Sequence, residues 1–195
     1  MKKIYVFVPV FLSLVLIISG FKPLVSKCEN ISENVFRLHI LANSDSDCDQ
    51  SLKLKVRNRV LRLSKSLYAD CKSVDEAVEI TRRNIKEIKS AAQSTLAFYD
   101  CDKEVRVLVT KEYFSTRKYG DFSLPAGVYN SLKIVIGEGR GHNWWCVMYP
   151  SVCLSGCTDD FKEELTDEEV EMLKSRKYIV RFKIVEIYER IKNIS

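Results

Sequence analysis

The side chains best suited to chemistry in this 195-residue chain are seven cysteines (28, 48, 71, 101, 146, 153 and 157) and two histidines, His39 and His142. A nucleophilic thiolate needs an imidazole or a helix N-terminus beside it to lower its pKa. His142 precedes Cys146 by four residues. On a strand the two would face the same side but stand about 13 Å apart, at about 3.3 Å per residue, beyond hydrogen-bond reach. His39 would have to come from a neighbouring strand. A cysteine-dependent hydrolase is therefore kept as the second reading of function, and no catalytic residue is assigned.

Other chemistries fit less well. His142, Cys146, Cys153 and Cys157 are zinc-type ligands, but the paired Cys-x2-Cys knuckles of a structural zinc site are missing. Gly137, Gly139 and Gly141 imitate a phosphate cradle, yet such a loop opens a helix and here Trp144-Trp145 follows. That run reads as a hairpin or bulged link. Asp45, Asp47 and Asp49 alternate like a calcium loop without its glycine or closing glutamate, so helix capping explains them better. No metal, cofactor or small-molecule substrate is called for.

These residues need elements to hold them. Val35 to Leu41 alternates as a strand, with Phe36, Leu38 and Ile40 on one face and Arg37, His39 and Leu41 on the other. Ser46 with Asp49 is a capping pattern opening a helix whose apolar stripe is Leu52, Val56, Val60, Leu63 and Leu67. Ser73 with Glu76 opens a second, expected to carry Val74, Val78, Ile85, Ile88, Ala92, Leu96 and Tyr99 inward. Val105, Val107 and Val109 mark a half-buried strand, Leu132, Ile134 and Ile136 another, and Asn143 to Tyr149 the last. Tyr119-Gly120-Asp121 and Leu124 to Gly127 are turns. Thr166 with Glu169 caps a third helix, and Val180, Ile184, Ile187 and Ile191 keep a helical step. Residues 178–184 also alternate as a strand would; helix is preferred. The order β-α-α-β-β-β-α predicts an α+β two-layer sandwich: a mostly antiparallel sheet of about four strands covered by helices.

Lys2 and Lys3 precede an apolar run from Ile4 to Gly20, a signal peptide or, uncut, an N-terminal membrane anchor. The expected organisation is leader 1–26, polar spacer 27–33 and one globular domain, 34–195. The formal charge of +5 includes Lys2, Lys3 and Lys22; without residues 1–26, which hold no acid, it is +2. So small a charge does not argue for nucleic acid, and the basic stretch Lys53 to Lys65 reads as a solvated helix face. An exported chain permits disulfides. The odd cysteine number leaves at least one thiol single or joined to another molecule. Cys146 and Cys153 flank Tyr149-Pro150, a break at which the chain can double back, which makes them the disulfide candidate.

Trp144 and Trp145 are the only tryptophans. Adjacent on a strand, they point to opposite faces. Either both faces are covered, or one indole is left for a partner.

Three strings carry a resemblance: Leu41-Ala42-Asn43-Ser44-Asp45, Leu124-Pro125-Ala126-Gly127-Val128-Tyr129, and Gly137-Glu138-Gly139-x-Gly141-x-Asn143-Trp144-Trp145-Cys146-Val147. They closely resemble the stage II sporulation protein R family of endospore-forming bacteria, in the right order from about Val35 to Cys153. The resemblance implies an intercompartmental signal, made in the forespore and exported across its membrane into the intermembrane space. There it would activate a membrane-embedded aspartic protease that removes the pro-segment of a mother-cell sigma factor. The implied partner is the extracytoplasmic face of that protease, with membrane attachment only through the N-terminal segment. Asn43, Asp45, Asn143, Trp144 and Trp145 are the partner-binding candidates within the matching strings, with turn and cap duty the alternative for Asn43 and Asp45.

Overall fold

The computed structural model describes residues 21–150, 165–175 and 177–192. Residues 21–33 form helix α1, and β1 (Phe36–Leu41) follows. Three helices come next: α2 (Asp47–Leu67), α3 (Val74–Arg83) and α4 (Ile85–Ala97). Then come β2 (Val105–Phe114), the short β3 (Arg117–Tyr119) and β4 (Phe122–Leu124), β5 (Gly127–Ile136) and β6 (Asn143–Tyr149). Helices α5 (Asp167–Lys174) and α6 (Tyr178–Lys192) are the last described elements.

The main sheet has the order β2-β5-β1-β6. β2 with β5 and β1 with β6 are antiparallel, and β1 runs parallel to β5. The α+β class and mainly antiparallel four-stranded sheet hold. The Gly-rich segment is not a hairpin, however: β5 and β6 lie on either side of β1, so their link must pass over its C-terminal end.

One face of the sheet presents Phe36, Leu38, Ile40, Leu132, Ile134 and Ile136 to α2, α3 and α4. The capping patterns work as expected, with Ser46 accepting from the Asp49 N–H and Ser73 from the Glu76 N–H. Thr166 and Glu169 form a full capping box on α5. The expected long second helix is two helices. Asn84 breaks it, its side chain donating to the Ile80 carbonyl at 2.8 Å, the competition with backbone bonding that disfavours Asn inside helices. Beyond the break Ile88, Ala92 and Leu96 still face the core as expected, while Tyr99, past the end of α4, turns outward.

The opposite face is covered too. Cys28 and Ile31 of α1, Phe122 and Leu124 of the β3–β4 hairpin, Val170 and Leu173 of α5, and Phe182 and Val185 of α6 pack with Phe114, Tyr129 and Val147. This corrects the spacer expected at 27–33: that stretch is helical, and Asn30 donates to the Glu169 carboxylate at 2.8 Å. It also corrects the facing of the last helix. The helix forms, but Phe182 and Val185 turn inward, while Val180 (70% exposed), Ile184 and Ile187 face out. Among the described residues no helix is long and apolar enough to cross a membrane. The run Ile4 to Gly20, Cys153 and Cys157 lie outside them.

Candidate functional site

The resembling strings meet at one end of the sheet, where the β1–α2 loop and the β5–β6 link cross. Asn43 is the latch. Its Oδ1 accepts the Glu138 N–H at 3.1 Å, and its backbone carbonyl accepts the Arg140 N–H at 3.2 Å. Ala42 receives the Gly141 N–H at 2.9 Å. Such close approach leaves no room for Cβ atoms. One on Gly141 would stand 2.2 Å from the Ser44 carbonyl oxygen, and one on Gly137, at φ +56°, 2.3 Å from Asn43 Oδ1. The alternating glycines therefore serve loop-on-loop packing.

Asp45 and Asp49 fix the latch electrostatically. Asp45 Oδ1 accepts both the backbone N–H and the ring Nδ1 of His142, each at 2.5 Å. The backbone bond first, then the ring, holds the Asp45 carboxyl below its ordinary range. Asp49 is buried beneath the loop. Burial pushes its carboxyl up, but donation from Ser44 at 2.5 Å and Asn43 at 2.8 Å, with the Lys103 charge, outweighs that and leaves it lowered. Lys53 reaches up from α2 to the His142 carbonyl at 2.8 Å, and desolvation lowers its pKa.

Trp144 and Trp145 diverge as strand geometry requires. Trp144 packs against the apolar core under the guanidinium of Arg57, 4.2 Å from the ring centre. Its indole Nε1 is buried without an acceptor among the described residues. Trp145 lies on the other face, stacked on His39 at 3.7 Å between centroids and edge-on to Phe114 at 4.8 Å. His39 Nδ1 is 3.1 Å from both Glu112 carboxylate oxygens, and its Nε2 is 2.9 Å from Asn143 Oδ1. Glu112 also accepts from Ser131 at 2.8 Å and Lys133 at 3.0 Å. Burial works against the Glu112 carboxylate, but these three donors hold its pKa down to about 2.

All five candidates, Asn43, Asp45, Asn143, Trp144 and Trp145, therefore lie on one rim. Asn43 is committed to the latch and Asn143 to His39. Asp45 and Asn143 are exposed, and both indoles are half-buried. Residue types alone did not single out Glu112, and they gave Asp49 only a capping role and Arg37 only a place on a strand face. Their only signal is a charged side chain at a cap or at an inward strand position. Arg37 is wholly buried amid Phe114 (4.0 Å from its ring centre), Tyr129 (4.8 Å) and Tyr119 (5.6 Å). Cys146 is disulfide-bonded, which withdraws its thiol from nucleophilic use. The partner expected for it, Cys153, is outside the described residues. His142, the imidazole nearest in sequence to Cys146, is turned to Asp45.

Fold and rim together define an α+β domain whose distinctive strings join two loops and seat two indoles on opposite faces. The family model described as Stage II sporulation protein R (spore_II_R) matches residues 32–159. The chain is also 35% identical over 150 residues to Stage II sporulation protein R of Bacillus subtilis (strain 168), spanning 76% of this chain and 67% of that relative. The chain belongs to the stage II sporulation protein R family, a family of sporulation proteins. No solved structure matches it.

Proposed function

We propose that this chain is an exported messenger of sporulation that activates a membrane-embedded aspartic protease from that enzyme's extracytoplasmic side, and so starts processing of a sigma-factor precursor in the mother cell. The family match over residues 32–159 is the observation that carries this reading. It spans β1 to β6, and with them the whole latched rim. The basic and apolar leader before residue 21 supports export across the forespore membrane, with the domain released into the intermembrane space or held by an uncut anchor. Activation then depends on surface shape, and the latch suits that role because it fixes Asp45, His142 and Asn143 relative to one another without relying on loop order.

The test is reconstitution across a boundary. Purified domain added outside cells that carry the protease and the precursor is expected to start precursor cleavage. Absence of cleavage with folded domain at saturating concentration overturns the reading. A Cys146→Ser chain serves the second reading, an exported cysteine hydrolase: that reading is refuted by full signalling from this variant.

A further inference from the structure

A second surface, built from α2 and α4, has the chemistry of a polypeptide-binding groove. It runs between α2 and α4 and encloses about 490 Å³. Lys55, Arg59 and Arg62, at helical spacing of four and three, form one wall, and Ser94 and Thr95 belong to the other. Its end is closed by Phe98 and Tyr99, packed edge to face at 5.0 Å. Phe98 is 79% exposed, the most exposed large apolar side chain among the described residues. Lys55 sits 4.1 Å above the Tyr99 ring.

Two facts separate this groove from an ordinary solvated helix face. Its lining contains no carboxylate. None of its three cations has an ion-pair partner among the described residues, whereas Lys89, Lys103 and Lys133 are each paired to an acid nearby. Unneutralised cations cost self-repulsion, and a large exposed aromatic ring costs apolar hydration. A ligand with carboxylates beside one apolar side chain relieves both. Resting on the reading of this chain as a protein-to-protein messenger, we infer that the α2–α4 groove binds an acidic segment of a partner protein, an apolar side chain of which seats against Phe98 and Tyr99 while its carboxylates meet Lys55, Arg59 and Arg62. The groove is concave with its apolar surface gathered at one end, which matches a chain laid along it. A bilayer would require a broad apolar ridge instead.

The experiment places a photoreactive phenylalanine analogue at position 98 of the full chain in sporulating cells and maps any adduct by mass spectrometry. The expected adduct is on a protein segment with at least two acids near the linked residue. It is expected to fall about tenfold in yield when Arg59→Glu and Arg62→Glu are combined, and to persist with Arg59→Lys and Arg62→Lys. An adduct on lipid assigns the groove to a membrane and overturns the inference. So does no adduct, an adduct on a segment without acids, or a yield that charge reversal leaves unchanged. Circular dichroism of the reversed chain confirms its fold. The precursor-cleavage test is separate: cleavage with no adduct sinks the groove alone, and an acidic adduct with no cleavage sinks the protease reading alone.

Discussion

The two faces of the central sheet solve burial differently. Toward α2, α3 and α4, β1 sends Phe36, Leu38 and Ile40, all aliphatic or aromatic, into a core with apolar partners throughout. Toward α1, α5 and α6 the same strand sends Arg37 and His39, both buried. The first face needs only hydrophobicity and fit. The second must satisfy charge, and it does so locally, by aromatic rings around Arg37 and by Glu112 and Asn143 around His39. One strand thus has a general-purpose side and a side that works only with particular partners.

The sharpest way to break this contrast is to change adjacent residues of β1. Leu38→Ala removes packing from a fully buried site and is expected to cost about 2–5 kcal/mol, read as a fall in the denaturation midpoint. Arg37→Met keeps bulk and removes a buried charge whose Nε and Nη1 lack partners among the described residues. It is expected to leave stability within about 1 kcal/mol or to raise it. A loss from Arg37→Met as large as that from Leu38→Ala would show that the aromatic cage recovers the full cost of desolvation.

Next in size is the latch. Gly141→Ala drives a methyl into the Ser44 backbone, which cannot swing aside, and is expected to cost about 1–3 kcal/mol. Gly137→Ala meets the movable Asn43 side chain at a left-handed residue and is expected to cost about 1 kcal/mol. Its distinctive sign is faster hydrogen exchange at the Glu138 amide, which Asn43 otherwise accepts. Equal costs for the two would mean that the loop moves as a whole.

The second face also carries a pH signature in the acid range, at Glu112. Glu112 has a native pKa of about 2, below the value of about 4.3 for an unfolded glutamate. Because the folded value is depressed, the stabilisation is fully present above the unfolded pKa. It is lost as pH falls from about 5 toward 2. Glu112→Gln is therefore expected to lower stability at pH 7 and to flatten the acid limb of a stability–pH curve measured by denaturant titration. An acid limb that keeps its slope in the variant would place the titration elsewhere.

The difference between the faces also decides what the sequence made legible. Periodicity finds the first face, because apolar residues at helical and strand spacing report burial directly, and caps such as Ser46 and Ser73 mark helix starts. It fails at Asn84, where one side chain competes for a backbone carbonyl and splits a helix. It fails again on α6, where apolar residues occur on both sides and only tertiary contact selects Phe182 and Val185 for burial. The family strings located the rim, but not the division of labour within it. That Asn43 is a latch depends on Gly137 and Glu138 nearly a hundred residues away. That Glu112 matters depends on β2 and β5 presenting it with Ser131 to His39. Charge at an inward strand position carries this information only once strand order is known.

The smallest expected effect tests the same contrast with the two indoles. Trp144→Phe removes a buried Nε1–H that has no acceptor among the described residues, so the lost ring area is partly offset by removing that donor. The expected change is under about 1 kcal/mol, with Arg57 still able to cover the ring. Trp145→Phe gives up most of a stack on His39 and part of an edge contact with Phe114, an interaction class worth about 0.5–1.5 kcal/mol beyond area burial. Each variant leaves a single tryptophan, so fluorescence during unfolding reports its own face. If the two faces melt together, the Trp144 and Trp145 signals share one midpoint after correction for the mutational cost. If the charged face loosens first, as its reliance on specific partners implies, acid shifts the Trp145 signal of Trp144→Phe to lower denaturant, while the Trp144 signal of Trp145→Phe holds its place. A common midpoint at every pH would show that β1 couples the two faces too tightly for either to open alone.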